Sequence, residues 1–376
     1  MIAAGMNRAI NGGEGGLQIR VAVENGVIVN AALTSTRPVN ACSILVGRRI
    51  NDAMILLPRL FSLCSVAQAV AGLIAAEAAL GFTPAPAQVA ARRLLVAAEA
   101  LEQTVWRILL DWPRCVGAIP ALDALKRVRP MLTSLRPLLF PSPGWNRIGG
   151  AELAPNHAEL AAALDGIECV VNEAVLGDGR LEDRRSFERW LRTAMTPAAV
   201  TLRCVNDGHL AHFGRCAVMP LSEFDPNAIG ETGALARLWL HPLMTALRAD
   251  YGNGLLTRLT ARVIESGVLV AELRSQALAL SADPGMARAE TVSGAGLGVV
   301  ECARGRLIHR LVVAEGWVRD YNISAPTEWN FHPQGSLVCG LTGASVTPNT
   351  TIRQAIELLI TALDPCVGFE LVIEAR

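Results

Sequence analysis

Two stretches of strict apolar–polar alternation, one near each end, bracket a long middle whose apolar positions recur at helical spacing. Near the N-terminus, Leu17-Gln18-Ile19-Arg20-Val21-Ala22-Val23 alternates, Glu24-Asn25-Gly26 supplies a turn, and Val27-Ile28-Val29 begins a return strand. Near the C-terminus, residues 306–314 and 317–324 flank Glu315-Gly316 and predict a second hairpin. Between them, Ala-, Leu- and Arg-rich segments predict helices over 63–80, 86–111 and 119–138. Pro113 is expected to end the second of these, because it lacks an N–H and disfavours helix in the residue before it. Asn156 is placed to cap a helix over 157–175, and further helices are expected over 231–249, 254–280 and 351–363. The prediction is an α+β, mainly helical fold in one domain spanning 1–376. Its parts are an N-terminal hairpin region (1–48), a helical centre (49–285) and a hairpin followed by a cysteine-bearing C-terminus (286–376).

Composition narrows the function. Apolar residues make up 51% of the 376 residues, and 34 basic residues balance 34 acidic ones. A disordered chain needs the opposite balance, and a dedicated nucleic-acid binder usually carries a basic footprint. With only 18% charged residues, the surface is expected to reserve apolar area for a protein partner. Residues 65–82 are alanine-rich but interrupted by Gln68 and Glu77, which predicts a buried helix and no membrane span. The N-terminal residues lack the apolar run of a secretory signal. The nine cysteines are scattered and form no disulfide framework, so a cytoplasmic protein with reduced thiols is expected. Cys64 stands where an irregular segment enters a helix, a position that should lend it thiolate character.

The sequences around two cysteines carry a resemblance. Arg59-Leu60-Phe61-Ser62-Leu63-Cys64, continuing into SVAQAVAG, resembles the N-terminal R-x-C-G-x-C-P-x-A-H-A motif of the [NiFe]-hydrogenase large subunit. Asp364-Pro365-Cys366-Val367-Gly368-Phe369 resembles that family's C-terminal D-P-C-x-x-C-x-x-H motif. Between them, GGEGGLQIRVAVENGVIVNA resembles the family's E-G-H-L-R-I start and hairpin. ETGALAR (231–237) resembles E-x-G-P-L-A-R, and the segment from Glu301 through PTEWN resembles E-A-P-R-G and P-T-x-W-N. The blocks occur in the family's order and cover most of the chain.

The departures reshape what the resemblance implies. In the family, four thiolates hold nickel, and two of them bridge to an iron bearing cyanide and carbon monoxide. Here the first cysteine of the N-terminal motif is Phe61, leaving Cys64 at the bridging position. At the C-terminus Cys366 matches a terminal nickel ligand, while the second cysteine is Phe369 and the histidine is Val372, beyond which no removable tail is expected. Gly16 stands where a histidine is usual. No nickel is therefore expected and hydrogenase activity is not; Phe61 and Phe369 are expected to fill the vacated volume with apolar bulk. Arg304 matches the arginine over the bimetallic site, and Thr327, after Pro326, matches a donor to cyanide. Cys302, in place of a proline, is a possible further thiol. Glu14 matches a relay glutamate that here is relay or structural.

Such a chain resembles the HupK/HoxV hydrogenase maturation proteins. The resemblance implies a non-catalytic metallochaperone, a scaffold that transiently holds an Fe(CN)2(CO) unit. It would receive the unit from the HypC–HypD maturation complex and pass it to an apo [NiFe]-hydrogenase large subunit. A reading of another class is a non-metal interaction protein that mimics the large subunit and recruits maturation factors. Cys204, His209, His212 and Cys216 are zinc-type residues at an unfamiliar spacing, expected otherwise to lie in a β-rich loop. Gly294, Gly296 and Gly298 lack the strand–helix context of a dinucleotide loop. Trp106 and Trp112 are expected to pack, and Glu77, Glu99 and Glu102 to lie on polar helix faces.

Overall fold

The computed structural model describes residues 15–37, 41–177, 179–221, 229–280, 288–289, 294–346 and 351–375. The N-terminal alternation forms β1 (Gly16–Glu24) and β2 (Val27–Ser35), an antiparallel pair. Asn25 and Gly26, which join them, have φ of 50° and 78°. That left-handed pair matches the twist of the strands and suits asparagine and glycine. The other edge of β1 pairs, in parallel, with a strand over Gly368–Ala375 that the sequence pattern had not suggested. Leu17 lies opposite Phe369 and Ile19 opposite Leu371. A parallel pair needs a crossover; here the crossover runs from residue 25 to residue 367, and it brings the first described strand beside the last.

The helical centre matches expectation in kind more than in boundary. An unforeseen α1 (Ile50–Leu60) precedes α2 (Ser65–Ala79), and α3 (Pro86–Trp106) follows. Pro113 does not end the helical run. A π-helical turn over Arg107–Asp111 leads into a last turn over Trp112–Cys115, with Pro113 at its start. The Leu109 carbonyl, which a proline four residues on cannot bond, accepts instead from the Ala121 N–H at 2.9 Å. Such π turns often mark functional sites. Later helices cover Leu122–Leu139 and His157–Val171, the latter capped by Asn156 as expected. The helix expected over 231–249 is instead two short ones, Ala234–Arg237 and Pro242–Tyr251, separated where Pro242 starts a new helix. Cys204 belongs to a helix, Pro197–Asp207, capped by Thr196, so the β-rich loop expected there is corrected.

The C-terminal hairpin, Gly305–Ala314 and Trp317–Ser324, gains a third antiparallel strand, Ala295–Cys302, and the sheet lies on α2. Gly296 and Gly298 make this possible. A Cβ on Gly296 would collide with the Ala75 carbonyl, and one on Gly298 with that of Ala71. Close strand–helix approach is thus what these glycines serve. The helix is buried on nearly every side, as its alanine content allows. Glu77 is buried rather than on a polar face, because Arg92 meets it at 2.9 Å and the Gly149 N–H donates to it at 2.9 Å. A central helix, Leu255–Ala279, packs on α3 within an apolar cluster that runs from Leu17 to Leu371. Among the described residues, no helix is long and apolar enough to cross a membrane.

Candidate functional site

Cys64 and Cys366, from opposite ends of the chain, line one cavity of about 130 Å³. Cys64 is the residue that enters α2, and Cys366 lies between the C-terminal helix Ile352–Leu363 and the strand Gly368–Ala375. Phe61 and Cys42 line the same cavity. Phe369 does not. As the residue opposite Leu17 in the terminal sheet, it turns into the main core and lines a separate cavity of about 270 Å³ with Arg107. Only one of the two phenylalanines therefore stands in the thiol cavity. Cys302 ends its strand inside the apolar cluster that contains Cys64. Glu14 lies outside the described residues.

The environment makes Cys64 a protonated thiol, contrary to the expectation from its helix-entry position. Burial pushes its pKa well up, and the neighbouring Cys366 and Cys302 push it further. The N–H groups at the start of α2 are already spent: those of Val66 and Ala67 donate to the Glu99 carboxylate at 2.8 and 3.0 Å. Burial raises Glu99 itself to about 7, and burial raises Cys302 to about 11. These thiols need a cation to become thiolates, and a coordinated metal is the strongest local means of removing such a proton.

Cys366 is held differently. The Thr327 hydroxyl donates to its sulfur at 3.1 Å, and the Cys366 N–H lies 3.3 Å from the same oxygen. Pro326 fixes the first turn of the short helix that carries Thr327, and both are buried. Two residues before Cys366, Asp364 takes a left-handed conformation (φ 56°) that ends the preceding helix. Its buried carboxylate meets Arg107 at 2.7 Å, Arg262 at 3.4 Å and Arg304 at 3.7 Å. Despite the upward push of burial, these guanidiniums hold Asp364 down at about 2. Arg304 also donates to Gln103 Oε1, and Gln103 Nε2 donates to the Leu63 carbonyl, which ties the cysteine loop to the arginine. Burial works against the charge of Arg304, but Asp364, Cys366 and Cys64 outweigh it, so its pKa is raised. Its Nε finds no hydrogen-bond acceptor. Arg304 and Gln103 face a second cavity, about 390 Å³, on the far side of the cysteine loop.

Glu99, expected on a polar helix face, is instead turned inward to accept from the start of α2, because the Val66 and Ala67 N–H groups lie beside it. Other members of this site were not singled out in the sequence. Gln103 is one helical turn from Glu99 in α3, and the two interrupt an Ala/Leu-rich face, a spacing that points both at one neighbour. Arg107 and Arg262 gave no such signal, because their partner Asp364 is distant in sequence. Trp112 packs as expected, whereas Trp106 is partly exposed under the Arg129 guanidinium. All nine cysteines are free. Among the described residues, no group of three or more His, Cys, Asp or Glu is placed to hold a metal ion. That removes the Cys204, His209, His212 and Cys216 set, and the cavity's Cys42, Cys64 and Cys366 do not form such a group of three either.

The fold is that of hydrogenases. The structure superposes on the Ni-Fe-Se hydrogenase of Desulfomicrobium baculatum with a TM-score of 0.70 at 17% identity, covering 93% of this chain and 96% of that one. For the Ni-Fe-Se hydrogenase of D. vulgaris Hildenborough, reduced state, the values are 0.68, 17%, 92% and 95%. These are large-subunit folds. No protein-family model matches the chain. Curated relatives do. The hydrogenase expression/formation protein HupV of Azotobacter chroococcum mcd 1 is 30% identical over 95% of this chain and 98% of its own length. The chain belongs to the HupK/HupV/HoxV family of hydrogenase expression/formation proteins. HoxV of Cupriavidus necator is 31% identical, over 90% of this chain and 91% of its own. HupK of Rhizobium leguminosarum bv. viciae is 28% identical over 96% of each. Family membership and the large-subunit fold agree with the two terminal motifs from which the resemblance was drawn.

Proposed function

We propose that this chain serves hydrogenase maturation as a scaffold. Its cargo is an Fe(CN)2(CO) unit, held transiently by Cys64 and Cys366 and passed to the apo large subunit. The observation that carries the reading is the convergence of these two cysteines, distant in sequence, on one small cavity beside Arg304 and Thr327. Soft thiolates suit low-valent iron. Cyanide ligands are anionic acceptors, and a buried guanidinium whose charge reaches both thiols is the kind of group that stabilises them. Two sulfurs are too few for the four-thiolate nickel site, so the chain would carry iron without nickel and without hydrogenase catalysis. Two sulfurs also bind less tenaciously than four, which favours release.

The partners consistent with this role are the HypC–HypD complex as donor and the apo large subunit as acceptor. Likeness to the large subunit supports it, since a chain of that fold presents a donor complex with a related surface. Infrared spectroscopy and iron analysis of anaerobically isolated protein test the reading. Cyanide and carbonyl stretches with stoichiometric iron are expected, and their loss in the Cys64→Ala, Cys366→Ala double variant. Bands that persist in that variant would sink the ligand assignment. Iron-free protein that still supports maturation would favour the interaction-mimic reading.

A further inference from the structure

A line of polar side chains crosses the otherwise apolar interface between α2 and the sheet, and it ends on Cys64. Gln68 Nε2 lies 3.6 Å from the Cys64 sulfur, and Gln68 Oε1 lies 2.9 Å from His309 Nε2. His309 Nδ1 lies 2.8 Å from the Tyr321 hydroxyl. All four residues are buried, and His309 is completely so. They come from four places in the chain: the N-cap of α2, its first turn, and the strands Gly305–Ala314 and Trp317–Ser324.

One assignment of protons lets every donor meet an acceptor and leaves the sulfur as the final acceptor. Tyr321 O–H donates to Nδ1, His309 Nε2–H donates to Gln68 Oε1, and Gln68 N–H donates to Cys64. Burial pushes His309 down to about 3, so the ring is neutral and has one N–H to give. A second observation shows that the fold reserves space for this line. Gly72 sits in the interior of α2, where glycine is unfavourable, and a Cβ there would lie 2.9 Å from the Tyr321 hydroxyl and would collide with Leu57.

We propose that Tyr321, His309 and Gln68 are positioning residues for the soft-metal site, a one-way hydrogen-bond chain that orients the Cys64 sulfur and draws electron density from it when it is a metal-bound thiolate. The proposal rests on the reading above that Cys64 is a ligand. A metal-bound thiolate has lone pairs and no proton, so it is the acceptor this chain is built to meet. Donation into the sulfur weakens its hold on the metal, which suits a ligand that must let go. Hydrogen bonds in series polarise one another, so the effect of each member should fall with its distance from the sulfur.

Two measurements test it. In metal-free protein labelled with nitrogen-15 at histidine, His309 should carry its proton on Nε2, in slow exchange. That resonance should move in Cys64→Ala, and the response to Cys64→Ala should vanish in a Gln68→Leu background. A proton on Nδ1, or a resonance blind to Cys64→Ala, would overturn the chain whether or not iron binds. In iron-loaded protein, Gln68→Leu should move the carbonyl stretch to lower wavenumber, His309→Gln less and Tyr321→Phe least. Bands at the wild-type position in all three variants, with the protein folded, would also overturn it. Absence of bands in the wild-type protein would refute the scaffold reading, and the nitrogen-15 measurement would still decide the chain.

Discussion

Two of the carboxylates buried against arginine in this molecule, Glu231 and Asp364, are treated differently. Glu231 accepts from Arg258 at 2.9 and 2.7 Å, from Ser336 at 2.9 Å and from Asn253 at 3.4 Å. Arg258 in turn donates to the Gly214 carbonyl at 2.8 Å. Every strong donor there has an acceptor, and the pair ties the ETGALAR segment to the central helix. Asp364 meets three guanidiniums. Arg107 shares itself with Asp111, but among the described residues Asp364 is the only carboxylate within ion-pair reach of Arg262 and Arg304. Asp364 Oδ2, Arg304 Nε and Arg262 Nη1 are left without hydrogen-bond partners. A saturated cluster holds a fold together. The Asp364 cluster instead carries more buried positive than negative charge beside two thiols, which is the feature the proposed anionic cargo would use.

The contrast can be broken by substitution. Asp364→Ala should be the most damaging, because it strands Arg262 and Arg304 in the core. A loss near the top of the ~3–5 kcal/mol range for an unpaired buried charge is expected in chemical denaturation. Glu231→Ala strands only Arg258, and about 3 kcal/mol is expected. Where that variant folds, its cyanide and carbonyl bands should match the wild type; loss of the bands would erase the distinction between the two clusters.

Acid sharpens it further. Asp364 is held at about 2, below its ordinary 3.8. Its contribution is therefore complete above pH 4 and drains away as pH falls toward 2, by at most about 1.4 kcal/mol per pH unit. The slope should be absent from Asp364→Asn. Glu99 should show the opposite sign. Burial holds it at about 7, above its ordinary 4.5, so the fold favours its neutral form. Stability should fall as pH rises from 4.5 through 7, and Glu99→Gln should flatten that dependence. A Glu99→Gln profile indistinguishable from wild type would show that the α2 N-terminus does not depend on this carboxylate's charge.

Much of the fold was legible locally. The Asn25-Gly26 and Glu315-Gly316 turns, the Asn156 cap and the helices over α2 and α3 follow from side-chain chemistry within a few residues. The errors fall where that locality ends. Pro113 is a helix breaker in isolation, yet here a π turn and the distant Ala121 N–H accommodate it. Helix 231–249 has continuous apolar spacing, but Gly233 at φ 119° and Pro242 divide it into pieces that serve the Glu231–Arg258 contact. The glycines at 296 and 298 were set aside as a dinucleotide loop but given no reason of their own, because that reason, the backbone of α2, is more than two hundred positions away.

For the site, the sequence by itself determined the inventory: two surviving cysteines in recognisable motifs, two phenylalanines in place of ligands, and an arginine and a threonine in matching blocks. Those are matters of residue identity and order. The tertiary structure decided what each does. Parallel pairing of the last strand with the first turns Phe369 away from the thiols and leaves Phe61 beside them. Glu99 takes the helix N–H groups that would otherwise have favoured a thiolate, and burial keeps Cys64 protonated. Asp364 gathers arginines from α3's extension, the central helix and the C-terminal sheet. Burial and charge act through space over a few ångströms, and a residue's neighbours at that range are set by the folded chain, not by its position along it.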